Sequence, residues 1–185
     1  MAGEEINEKE RQSRYLKSMS SACFSCALCE LGAKTVIKNN ESRDPHVFSN
    51  RKVSKIIYIG LQPTWLDLVA RDSQTEITVR DGWFNTDDFY VTNLVKCAGE
   101  CDSLDDSIAA CLDYLSMEIR CLKPKLIITI DEVYDKLKDL GWVKDNFLVL
   151  KDARIAKIVN ITRLRQDKSE VLIKLINKIN NEESL

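Results

Sequence analysis

The sequence predicts an α/β fold with three layers, α/β/α, around a mainly parallel central sheet. Two observations carry this prediction. Short apolar runs rich in Ile, Val and Tyr recur along the 185 residues, and the segments between them space their apolar side chains as helices do. Strands that alternate with helices in this way cross over to build parallel sheets. A chain of this length, 44% hydrophobic and 30% charged, buries one hydrophobic core without needing disulfides.

Each element has its own signal. Residues 4–20 are charged and helical in pattern, so residues 1–20 are expected to form an N-terminal helical extension ahead of a single domain spanning 21–185. The turn-rich stretch 38–52 reads as loop. "SKIIYIG" reads as a buried strand ending at Gly60, and Pro63 opens a short helix in "PTWLDLVARD". Residues 72–88 fit a hairpin or a loop, and "DFYVTNL" is the next strand. Ser103 and Asp106 have capping-box spacing before a long helix whose stripe is Leu104, Ile108, Cys111, Leu112, Leu115, Ile119 and Leu122. "KLIITI" is a strand, 131–139 a helix, "NFLVL" and "AKIVNI" two further strands, and "SEVLIKLINKI" a closing amphipathic helix. Ligands of parallel sheets bind beyond the carboxyl ends of the strands, where Gly60, Asn93 and Thr162 fall.

No apolar run approaches the ~18–20 residues that a membrane span needs, and the charged start lacks a secretory pattern. The expected location is the cytoplasm or another reducing intracellular compartment. Seven cysteines, at 23, 26, 29, 97, 101, 111 and 121, therefore call for metal binding, redox work or plain packing rather than disulfides. Cys26 and Cys29 form C-x2-C, and Cys97 and Cys111 form C-x13-C on a loop and a helix. Four thiolates suit a [4Fe–4S] cluster or a tetrahedral Zn²⁺ ion. The spacing is not that of a standard zinc ribbon, which favours the cluster. Cys23 and Cys26 also make a C-x2-C, so the first pair has two readings.

Charge is uneven. Residues 120–178 hold 14 Lys+Arg against 8 Asp+Glu, and the remainder holds 13 against 21. A basic C-terminal part is compatible with an anionic polymer as partner.

The segments "CALCELGAKTVI", "KIIYIGLQP", "FYVTNLVKC" and "DDSIAACLDYLSMEIRCLKPKLIITI" together resemble the motifs of the iron–sulfur uracil-DNA glycosylases, families 4 and 5 of the uracil-DNA glycosylase superfamily. The likeness runs from about Cys26 to about Lys138. It implies a uracil-DNA glycosylase-like fold and a structural [4Fe–4S] cluster on Cys26, Cys29, Cys97 and Cys111. It also implies a base-reading role for Asn93, whose amide offers both a donor and an acceptor to a pyrimidine edge. Gly60, Leu61, Gln62 and Pro63 match the first active-site turn.

The catalytic set departs from the family pattern. Leu61 and Gln62 stand where family 4 members carry a glutamate and a small residue, and "GLQPT" is nearer the family 5 form. Asp67 is the nearest carboxylate, so the catalytic candidates are Asn93, Gln62 and Asp67. Trp65, Trp83 and Phe84 are candidates for a stacking aromatic. The late His-Pro-Ser motif is absent: that region reads "AKIVNITRLRQDKSE", and the one histidine, His46, precedes the first motif. Arg163 and Arg165 are placed to contribute positive charge there. Three readings follow. The first is a catalytically degenerate DNA-binding iron–sulfur protein acting as an accessory factor in replication or repair, with single-stranded or uracil-containing DNA and a replication or repair protein as partners. The second is an active glycosylase excising uracil or a related base, and the third a metal-stabilised interaction module without nucleic acid.

Overall fold

The computed structural model describes residues 7–34, 53–63, 76–79, 82–85, 89–97, 99–100, 102–151, 153–162 and 166–183. The elements run α1 (Glu8–Phe24), β1 (Ile56–Gly60), β2 (Glu76–Val79), β3 (Gly82–Asn85), β4 (Tyr90–Asn93), α2 (Leu104–Leu122), β5 (Leu126–Thr129), α3 (Asp131–Asp139), β6 (Val143–Lys144), β7 (Phe147–Leu150), β8 (Ala153–Asn160) and α4 (Gln166–Glu183). Six strands form one sheet in the order β4-β1-β5-β8-β7-β6, while β2 and β3 pair separately as an antiparallel hairpin. The first four strands of the large sheet are parallel, and β7 and β6 close it antiparallel. The expected α/β architecture is therefore present, with a mixed and mostly parallel sheet.

Strand alternation sends neighbouring side chains to opposite faces. On one face Ile57, Ile59, Ile127 and Ile158 share a core with Leu16 and Met19 of α1, Ile108, Leu115 and Ile119 of α2, and Val133 and Leu137 of α3. On the other face Ile56, Leu126 and Ile128 pack with Leu172, Ile176 and Ile179 of α4. That division is the three-layer arrangement, and the apolar stripes of the helices account for it.

The caps fix several boundaries. Asn7 accepts from the Lys9 main-chain N–H (3.0 Å) at the start of α1. Ser103 accepts from Asp106 N (3.2 Å) and starts α2 as the S-x-x-D spacing predicts. Helix α1 runs on to Phe24, through Cys23, and lies on α2: Leu16, Met19 and Cys23 are buried, and Gln12 Nε2 donates to the Cys121 carbonyl (2.8 Å). Two details were not anticipated. Residues 143–144 add a short strand, and Asp145–Asn146, both at positive φ, form the tight two-residue turn into β7. The helix expected after Pro63 lies outside the described residues, as do Asp67, Trp65, His46, Arg163 and Arg165. No helix among the described residues is long and apolar enough to cross a membrane.

Candidate functional site

At the carboxyl end of the parallel sheet, register places Gly60 of β1 directly beside Asn93 of β4. One strand further, Thr129 of β5 sits opposite Asn160 of β8. The sheet thus ends in a row of small or polar residues, where its interior is Ile, Leu and Val. Asn93 is 5% exposed, and its Nδ2 has no hydrogen-bond partner among the described residues. Thr129 is fully buried with its Oγ1 likewise unpartnered. A buried polar group without a partner costs ~1–3 kcal/mol.

Gly60 is required by this geometry. A Cβ there would stand 2.4 Å from Asn93 Oδ1 and 3.7 Å from Tyr58 Cε1. Gly60→Ala is therefore expected to push the Asn93 amide aside and to destabilise the fold by about 1–3 kcal/mol. Thermal unfolding measures it, and an unchanged melting temperature would contradict the close approach.

The turn after β1 and the loop after β4 are tied together. The Leu94 and Val95 N–H groups donate to the Gly60 and Leu61 carbonyls at 2.8 and 2.9 Å. Gln62 Nε2 donates to the Gly99 carbonyl, so this catalytic candidate serves here to join the two loops. Pro63 is buried, and Leu61 packs half-buried against the core. Of the catalytic candidates, Asn93 is the one whose amide nitrogen is buried without a partner among the described residues.

Below this row lies a buried charge network that the sequence reading missed. Lys96 Nζ donates to Thr92 Oγ1 (2.6 Å), to the Asn93 carbonyl (2.9 Å) and to Glu118 Oε2 (2.6 Å). Glu118 also accepts from Tyr90 Oη and Thr92 Oγ1, each at 2.8 Å. The Lys96 and Glu118 side chains are only 3% and 5% exposed. Asp131 was also missed. Asn160 Nδ2 donates to its carboxylate (2.7 Å), and its main-chain N–H donates to Thr162 Oγ1 (3.3 Å), placing a carboxylate at the same end of the sheet. A lysine in "LVKC" and an aspartate opening a helix look like ordinary surface charges in a single sequence, so nothing marked either.

The cysteines flank the network. Cys23, Cys97 and Cys111 are buried, and Cys26 and Cys29 are half-buried. Burial pushes the Cys23 thiol up to about 12; the Lys96 charge opposes this, and Glu118, Cys111 and Cys26 add to it. Cys111 is also raised by burial, restrained by the Lys96 main-chain N–H and charge, and raised again by Cys29 and Cys26. Tyr114 is raised by burial and then by its hydrogen bond with Cys26. Cys23 and Cys111 thus lie within electrostatic reach of each other and of Cys26, Cys29 is within reach of Cys111, and Cys97 belongs to the same core as Cys23. The Gly32 N–H donates to Cys29 Sγ (3.3 Å), and a Cβ on Gly32 would come 2.7 Å from the Cys26 carbonyl, so the 26–32 turn closes tightly around a glycine.

Among the described residues no three His, Cys, Asp or Glu side chains stand close enough together to hold a metal ion. Cys26, Cys29, Cys97 and Cys111 are of the right kind for thiolate ligation, but among the described residues they are not gathered around one centre. Gly32 and Lys96 already aim N–H groups at two of the sulfurs, and ligation requires the cysteine side chains to turn toward a common centre.

A groove of about 520 Å³ lies elsewhere, between α1 and the end of α2, lined in part by Arg11, Gln12, Tyr15, Met117 and Arg120. It borders the amino end of the sheet, because α2 leads from there into β5. It is thus remote from Asn93.

A family model described as the uracil DNA glycosylase superfamily matches residues 38–173. No curated protein matches the sequence. The match contains Gly60, Asn93, Asn160, Cys97 and Cys111, whereas Cys26 and Cys29 precede it. It spans most of the chain, and the parallel strands inside it carry the polar row at their carboxyl ends. The chain belongs to the uracil DNA glycosylase superfamily.

Proposed function

We propose that this superfamily member is an iron–sulfur, DNA-binding protein that reads a uracil-type base with Asn93 and acts as an accessory factor in DNA replication or repair. The observation that carries the reading is the buried, unpartnered Asn93 Nδ2 beside the bare Cα of Gly60. A buried amide donor without a protein acceptor is free to take one that a ligand supplies. A pyrimidine edge flipped out of DNA offers a carbonyl to Nδ2 and an N–H to Oδ1, so one amide satisfies both. Single-stranded DNA suits this best, because its bases are already free of the stack.

Loss of excision follows from the residues after β8. They read Ile-Thr-Arg where a late histidine would assist the departing base, and no histidine occurs beyond His46. Cys26, Cys29, Cys97 and Cys111 are the ligands we assign to a [4Fe–4S] cluster, with Zn²⁺ the alternative metal; the group would tie the N-terminal segment to the β4 loop and to α2. Arg163 and Arg165 belong to the basic part of the sequence and suit phosphate contacts.

The test is an excision assay on single- and double-stranded oligonucleotides carrying one uracil, with abasic sites revealed by alkaline cleavage. Binding without cleavage is the expected result. Cleavage that disappears in Asn93→Ala would contradict the accessory role and support an active glycosylase. One observation favours that second reading: the Asp131 carboxylate, held by Asn160 at the carboxyl end of the sheet, is a group able to orient water. Asp131→Asn would then be the next variant.

A further inference from the structure

Asn93 lies at the end of β4, which among the described residues is an edge strand of the sheet. Where a chain leaves an edge strand, its last buried carbonyl needs a partner that the sheet does not supply. Here the partner is the Lys96 ammonium, whose three protons go to Thr92 Oγ1, Asn93 O and Glu118 Oε2. Thr92 accepts from Lys96 and donates to Glu118, and Tyr90 occupies the other carboxylate oxygen. The network ties down the side chains of Tyr90 and Thr92 and the carbonyl of Asn93, that is, the strand leading to the amide. The Leu94 and Val95 N–H groups then clamp the following residues to Gly60 and Leu61. The Lys96 main-chain N–H restrains Cys111, so the same residue touches both the cysteine region and the Asn93 backbone.

Stability alone does not call for such a pair. A buried ion pair replaced by well-packed apolar residues is often neutral or stabilising. An apolar residue would, however, leave the Asn93 carbonyl unpartnered and the end of β4 free to shift. We propose that the buried Lys96–Glu118 pair is a positioning device that fixes the Asn93 amide for base recognition. Neither residue touches the base; both act through the backbone and Thr92. The inference rests on the base-reading role of Asn93 proposed above.

The test compares wild type, Lys96→Met/Glu118→Leu and Thr92→Val. The last keeps the side-chain shape, removes one Lys96 acceptor and preserves the ion pair. The probe is a labelled single-stranded oligonucleotide with one central uracil, against the same strand with cytosine there, whose edge reverses the donor and acceptor, read by anisotropy alongside thermal unfolding. The double variant is expected to melt below wild type, because Tyr90 Oη, Thr92 Oγ1 and the Asn93 carbonyl lose these hydrogen bonds, and to bind the cytosine strand as well as wild type does. Its preference for uracil should drop by about tenfold or more, as loss of a well-aligned hydrogen-bonded edge does. Thr92→Val should lower the preference about threefold. A folded double variant that keeps the full preference would overturn the proposal while leaving the Asn93 reading intact; should it not fold, an unchanged preference in Thr92→Val would do the same. A wild type without preference would overturn both.

Discussion

Lys96→Met, made alone, is expected to destabilise the protein by about 3–5 kcal/mol, because it leaves the Glu118 carboxylate buried and without a counter-charge. Glu118 is 4% exposed, so water does not replace the lost ammonium, and only the Tyr90 and Thr92 hydroxyls remain as donors. The Asn93 carbonyl and the Thr92 hydroxyl each lose a donor as well. Removing both charges in Lys96→Met/Glu118→Leu should recover part of the loss, since the uncompensated charge is gone while Tyr90 Oη, Thr92 Oγ1 and the Asn93 carbonyl still lack the hydrogen bonds that the pair made. Urea unfolding of the two single variants and the double variant gives the coupling between the partners directly. A Lys96→Met protein as stable as wild type would mean that the pair is solvated in solution.

Cys111→Ser is expected to remove bound iron and the associated visible absorbance. Wild type should carry about four irons and four sulfides per chain. Serine leaves three thiolates and takes one anchor from α2, so the tie between that helix and the N-terminal segment is lost. Cys23→Ala separates the two readings of the first C-x2-C pair. Cys23 is buried and lies close to Cys26 and Cys111, yet with Cys26 and Cys29 as the first pair its replacement should leave the iron content unchanged. Iron analysis and absorbance spectra of both variants decide the matter. Loss of iron in Cys23→Ala would move the ligand set to Cys23 and Cys26, and a single zinc in wild type would replace the cluster altogether.

The layered α/β fold was legible because its signals are local. Strand runs such as "KIIYIG" and "KLIITI" carry their own period, and the α2 stripe and its Ser103 cap carry theirs. The direction of β7 was not legible, since it depends on a two-residue turn at Asp145–Asn146 that reverses the chain. Asn93 and Gly60 were legible as candidates from their motifs. Their direct contact was not, because it follows from strand register, which a short apolar run does not specify. Lys96 and Glu118 lie 22 residues apart and look like surface charges until α2 is laid against β4. The same is true of Asp131 and Asn160, which meet only where β5 and β8 end side by side.

The most direct test of the account is the affinity of wild type and Asn93→Ala for two single-stranded oligonucleotides that differ only by uracil or cytosine at one position, since cytosine reverses the donor and acceptor that the amide meets. Wild type is predicted to prefer uracil over cytosine by about tenfold or more, and Asn93→Ala to bind both strands alike with cytosine affinity unchanged. Equal binding of the two strands by wild type, or a preference that survives in Asn93→Ala, would contradict a base-reading role for this asparagine.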